Sequence, residues 1–172
     1  MIMDELKEIL DFNTEYKPLV RFGKEIPGYY VSKSGKVFSS KTNRFMSESV
    51  TLSKRSNRLE AVFFRASIKK NFFKDYKHTR GNDRDTWNCA KINISFHRAV
   101  AETWIPIDDH PPEVLKSTWN DVPEEWRQWV RDTALIDHKD DNPRNNDVDN
   151  LRWTTPKENQ HHRKKSNFEN NL

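Results

Sequence analysis

Cysteine is almost missing from this chain. Cys89 is the only one, which excludes an intrachain disulfide and any zinc knuckle built on paired thiols. No apolar run approaches the roughly 20 residues needed to span a bilayer. The N-terminus MIMDELKEIL has neither a basic n-region nor a small-residue cleavage site. A reducing, cytoplasmic setting with no membrane partner is the expectation. Apolar residues are also scarce, at 34% against 33% charged, so the core must be modest for 172 residues. That length suits one ordinary domain, or one small domain with an appendage. Six Trp and ten Phe offset the shortage, because each aromatic buries a large area.

The formal charge of +4 is mild, but its distribution is uneven. Between Lys54 and Arg84 the bases, Lys69, Lys70 and Lys74 among them, face few acids, and Arg152, Lys157, Arg163, Lys164 and Lys165 gather near the C-terminus. Acids concentrate in the first quarter, between Asp108 and Asp132, and from Asp137 to Asp149. A polyanion would meet a basic surface, although a solvated charged face reads the same way.

Along the chain, Leu6, Ile9 and Leu10 mark a short amphipathic helix, and Pro18 and Gly23 bracket a connector. IPGYYVSKSGKVFSSKTNRFMS predicts three short antiparallel strands with turns at Lys33-Ser34-Gly35 and Lys41-Thr42-Asn43. LEAVFFRASIKK and KINISF predict two more strands, separated by a basic stretch from Asn71 to Asn88. There Phe72, Phe73 and Tyr76 could either clasp a nucleic-acid backbone or plug the sheet. HRAVAETW predicts a helix ended by Ile105-Pro106. A second helix over EEWRQWVRDT is expected to pack through Val122, Trp126, Trp129 and Val130.

The last third is the informative part. ALIDH is a short strand, DHKDDNPRNNDVDN a polar loop, LRWTT a returning strand, and TPKENQHHRKK a basic helix with Pro156 at its first position. Two strands and a helix make a ββα unit. Asp137 is a hard oxygen donor, His138 is the side-chain type suited to proton transfer, and Asn159 would project from the first turns of the helix. Closing the hairpin would put a carboxylate and an amide oxygen on one divalent ion, with the imidazole facing a water across a bound phosphate. Mg²⁺ suits such a site, since it prefers oxygen ligands and keeps several waters. Asn150 is placed to brace the loop and hold the imidazole. Asp140, Asp141 and Asp147 are expected to shape Asx-type turns.

DHKDDNPRNNDVDNLRWTTPKEN resembles the signature of the HNH endonucleases, in particular the phage homing endonucleases, with its Asp-His pair, polar loop, Asn-Leu-Arg-Trp strand and Lys-x-Asn helix. FHRAVAETW is similar to the helix ahead of that motif, and IPGYYVSKSGKVFSS to a short β module often found before it. The resemblance implies an α+β fold: a ββα-metal (His-Me finger) unit with an N-terminal antiparallel β module and added helices. Residues 1–90 would form a DNA-contacting helix and β module, and residues 91–172 the nuclease region. The segment from Asp108 to Ala134 is longer than the connector usual in that family. The implied activity is metal-dependent cleavage or nicking of double-stranded DNA, with one Mg²⁺ or Mn²⁺ per site and no small-molecule cofactor, in the cytoplasm of an infected bacterial host. His138 would be the general base, Asp137 and Asn159 the metal ligands, and Asn150 the residue orienting the loop. Arg98, Arg152, Lys157, Arg163, Lys164, Lys69, Lys70 and Lys74 are candidate DNA contacts, and His97, His161 and His162 have no assigned role. The expected assembly is a monomer or homodimer. Two other readings stand beside it: an HNH module that binds DNA without turnover, and a sequence-tolerant nuclease acting on DNA or RNA.

Overall fold

A computed structural model describes residues 15–52, 59–74 and 90–160, with backbone alone at 59–61. The N-terminal helix expected over Leu6–Leu10, most of Asn71–Asn88, Cys89, His161, His162, Arg163, Lys164 and Lys165 lie outside those residues.

The fold is α+β, and the described residues form three antiparallel sheets. The first has the order β1 (Tyr16–Arg21), β2 (Lys24–Ser32), β3 (Val37–Ser39) and β4 (Arg44–Phe45). The second comprises β5 (Ser49–Leu52), β6 (Leu59–Ser67) and β7 (Lys91–Ser95), and the third pairs β8 (Leu135–His138) with β9 (Leu151–Thr154). Between the second and third sheets lie helices α1 (Phe96–Trp104) and α2 (Glu124–Thr133).

The stretch read as a connector between Pro18 and Gly23 is instead most of a strand and its hairpin turn. Phe22 and Gly23 both adopt positive φ, of 52° and 69°, the geometry of a two-residue hairpin turn whose twist matches the flanking strands. Pro18 does not prevent pairing, because the β1–β2 register is irregular just there, between Pro18 and Val20, and a proline is tolerated where the ladder breaks.

α1 positions everything else. Phe96, Ala99, Val100 and Thr103 are buried, an i, i+3, i+4, i+7 stripe that points into the main core. That core joins Leu19 and Val31 of the first sheet to Phe64 of the second and Leu151 of the third. Polar anchors fix the helix in register. Thr103 Oγ1 accepts from Val20 N at 3.0 Å, Trp104 Nε1 donates to Val31 O at 3.1 Å, and the Glu102 carboxylate pairs with Arg21 and accepts from Phe22 N. Two aromatics of the basic stretch resolve toward packing: Phe73 is fully buried and meets Phe22 and Phe72 edge to face, while Tyr76 lies outside the described residues.

A smaller core of Ala101, Ile107, Trp119, Val130, Ala134 and Trp153 docks α2 and the Asp108–Ala134 segment onto β9. Here the tryptophan stripe departs from expectation. Trp126 and Trp129 are 62% and 50% exposed, and the buried contact is made by Val130 with Trp119 from outside the helix. A ten-residue helix offers one face to a small core, and Val130 and Thr133 are the side chains on it that are buried.

Candidate active site

The site is built on the β8–β9 hairpin and the helix that follows it. Asp137 pairs across the ladder with Arg152, and His138 with Leu151. The alternating burial of β9 sends Leu151 and Trp153 into the cores and leaves Arg152 half-buried. Trp153 Nε1 donates to Ile105 O at 2.6 Å, tying the hairpin to the end of α1.

Arg152 donates from Nε and Nη2 to Asp137 Oδ2, at 2.9 and 2.6 Å. Both bonds land on one oxygen, and Asp137 Oδ1 takes no hydrogen bond from a described residue. The side chain is only 12% exposed.

His138 is half-buried at the end of β8. Its ring meets that of His97, on α1, edge to face with centroids 5.3 Å apart, and its Nε2 lies 3.1 Å from Asn146 Oδ1. His97 is pushed down to about 3, chiefly by burial and then by the neighbouring charges of His138, Arg98 and Arg21, so it is neutral at physiological pH.

The loop between the strands is closed by its own side chains. Asp140 accepts from Asn142 N, Asn142 from Arg144 N, Asn145 from Asp147 N, and Asp147 from Asp149 N, four Asx-type turns in twelve residues. Asp141 contributes by its backbone, at a φ of 57°. Asn150 acts at the loop's base. Its Oδ1 accepts from Asp140 N, and its Nδ2 donates to Asp140 Oδ1 and Asn145 O at 2.9 and 2.8 Å. Hydrogen bonds, the largest from the Asn145 amide, hold the Asp140 carboxyl below its usual range. Asn150 therefore touches the loop, and the imidazole contact comes from Asn146, a residue the sequence reading passed over. The only signal it gave was an asparagine repeat, which reads as loop filler until its burial is known.

The helix beyond β9 starts with a capping box. Glu158 N donates to Thr155 Oγ1 at 3.3 Å, while the Glu158 carboxylate accepts from Thr155 N and Oγ1, both at 2.8 Å. Helical residues run from 156 to 160, and Asn159 N donates to Thr155 O. The Asn159 amide makes no hydrogen bond with a described residue. Among the described residues no three His, Cys, Asp or Glu side chains cluster as a metal site. Asp137 keeps one carboxylate oxygen, and Asn159 its amide oxygen, unengaged by described residues, and both are hard donors.

Of the candidate DNA contacts, Lys69, Lys70, Lys74 and Lys157 are exposed, and Arg152 is held by Asp137. Arg98 donates to Ala134 O at 3.1 Å, pairs with Glu102 and lies over the Trp153 ring. No helix among the described residues is long and apolar enough to cross a membrane.

Comparison with known proteins gives three results. No curated protein matches the chain. A solved structure described as "DNA binding and cleavage by the HNH homing endonuclease I-HmuI" is similar over 89% of this chain and 59% of that one, at 24% identity and a TM-score of 0.46. The chain thus spans less than two thirds of that protein. The family model for "HNH endonuclease" matches residues 130–161, which run from the end of α2 through both strands of the hairpin into the capped helix. Over those residues the chain is similar to the HNH endonucleases.

Proposed function

We propose that the protein is a metal-dependent endonuclease that hydrolyses phosphodiester bonds of double-stranded DNA, by nicking or double-strand cleavage, as a free-standing phage homing enzyme. The observation that carries this reading is His138, fixed at a strand end beside a carboxylate with one unengaged oxygen, inside an HNH unit.

Hydrolysis needs a base for the attacking water, stabilisation of charge on the phosphorus oxygens, and help for the departing 3′ oxygen. The His138 imidazole takes the proton from water. Asp137 and Asn159 would hold one Mg²⁺ or Mn²⁺, which when bound supplies Lewis-acid stabilisation of the phosphate and the leaving oxygen. Arg152 holds Asp137 in its orientation, and Asn150 keeps the loop closed over the strand ends. Residues 1–90 serve as the DNA-contacting module through Lys69, Lys70 and Lys74, and residues 91–172 as the nuclease region, with Arg98, Lys157, Arg163 and Lys164 as its DNA contacts. Binding weakens steeply as salt rises, because each Lys or Arg on a phosphate displaces condensed counterions. The working place is the cytoplasm of the infected host.

The test is incubation of purified protein with supercoiled plasmid, with Mg²⁺ and with chelator, followed by mapping of the ends. Nicked or linear product only with metal, at one or two positions, is expected. Scattered ends, or cleavage of RNA, would replace the homing reading with a sequence-tolerant nuclease. Plasmid carrying a cognate site that stays intact across metals would leave a DNA-binding module without turnover.

A further inference from the structure

We infer that Asn146 is a positioning residue for His138, and that it fixes the imidazole as the tautomer protonated at Nε2, leaving Nδ1 as the basic nitrogen. This rests on the reading of His138 as the general base and adds which of its nitrogens acts and what sets it.

The assignment follows from the donors and acceptors around one buried amide. Asn146 is 6% exposed, so its polar atoms need partners from the protein. Its Nδ2 donates to Arg144 O at 3.3 Å. That fixes which end of the amide faces the imidazole: Oδ1, 3.1 Å from His138 Nε2. A carboxamide oxygen only accepts, so the contact is a hydrogen bond only when Nε2 carries the proton. In the neutral ring the lone pair then sits on Nδ1, which makes no hydrogen bond with a described residue.

Asn146 is itself held from the other end of the chain. The β2–β3 turn presses on it: Gly35, at a φ of +84°, comes so close that a Cβ there would lie 2.8 Å from Asn146 Cβ and 3.0 Å from its carbonyl oxygen. Val148 N donates to Lys33 O at 2.8 Å, and Arg144 pairs with Glu48 at 3.1 Å, so the N-terminal β module grips the loop on both sides of Asn146. The turn is stiffened within itself, since Ser32 N donates to Lys36 O and Lys36 N to Ser32 Oγ. A mechanical path therefore runs from the Ser34-Gly35 turn through Asn146 to the ring of His138. The β module has a second task besides meeting DNA, which is to hold the base in place.

The test is the tautomer of His138, read by long-range proton–nitrogen NMR on the full chain at neutral pH, without metal or DNA. Wild type is expected to show the form protonated at Nε2. Asn146→Asp retains an acceptor and should keep that form, whereas Asn146→Ala should relax it toward the mixture of a free imidazole. On plasmid, Asn146→Ala should lower kcat by about 10- to 100-fold with little change in KM, as for a misaimed catalytic group, and Asn146→Asp should recover part of the loss. A wild-type ring protonated at Nδ1, or an Asn146→Ala protein with unaltered tautomer and kcat, would overturn the inference. Because wild type alone decides the first point, a variant that fails to fold does not spare the idea. Should wild type cleave no DNA yet show the Nε2 tautomer and lose it in Asn146→Ala, the positioning stands and the nuclease reading falls.

Discussion

Replacing His97 by phenylalanine should flatten the acid side of the protein's stability profile. In the folded chain the His97 imidazole is packed against His138 and pushed down to about 3, first by burial and then by neighbouring positive charge. Unfolded, it titrates at its ordinary value near 6.5. A base whose folded value is depressed is neutral in both states above the unfolded value, so its full contribution is present there. That contribution is lost as pH falls from 6.5 toward 3, because the unfolded state takes up a proton that the folded state refuses. At about 1.4 kcal/mol per pH unit, the fall from pH 7 to pH 5 removes about 2 kcal/mol. Phenylalanine keeps a ring against His138 and cannot titrate. Urea unfolding at pH 7, 6 and 5, a window in which ordinary carboxylates stay ionised, should show the wild-type midpoint falling more steeply than that of His97→Phe. The difference between the two curves should reach about 2 kcal/mol at pH 5. Parallel curves would show that His97 titrates normally and is not desolvated in the folded chain.

Other expectations follow from the same geometry. Gly35→Ala combines a left-handed backbone with a Cβ thrust into Asn146 and should cost about 2 kcal/mol or more, read as a drop in urea midpoint. Thr155→Ala removes the capping box and should cost about 1 kcal/mol, with the loss largest in amide exchange of the helix it starts. Trp119→Ala empties a site that is 3% exposed and should cost about 3 to 5 kcal/mol, whereas Trp126→Ala, 62% exposed in wild type, should cost less than about 1 kcal/mol by thermal melting. Asn159→Ala should raise the Mg²⁺ concentration needed for half-maximal cleavage without changing the unfolding midpoint, since its amide holds no other described residue.

What the sequence made legible depended on how local the determining physics was. The β2–β3–β4 meander, α1 and the β8–loop–β9–helix order rest on alternation, helical spacing and turn residues, all visible within a window of about ten residues. The Thr155 cap and the Asx turns of Asp140 and Asp147 are equally local, with partners two or three residues away. Strand β1 was hidden because Pro18 and Gly23 both suggest a break, while the pairing that overrides them comes from β2. The tryptophans of α2 misled for the opposite reason. Their spacing describes an apolar face correctly, but whether that face is covered depends on Trp119 and Val130, which already fill the small core. Asn146 could not be singled out among its neighbours, because its burial is imposed by a turn more than a hundred residues earlier. Asp137, His138 and Asn159 stood out by residue type, and the partners that aim the first two, Arg152 and Asn146, emerged only from the hairpin register and the loop closure.

The most direct trial of the account is single-turnover cleavage by His138→Ala beside wild type, with DNA binding measured on the same preparations. Loss of the water-activating imidazole should lower the rate by about 10² to 10⁴ while the affinity for duplex stays within a few-fold. A pure, folded His138→Ala protein that cuts DNA as fast as wild type would contradict it.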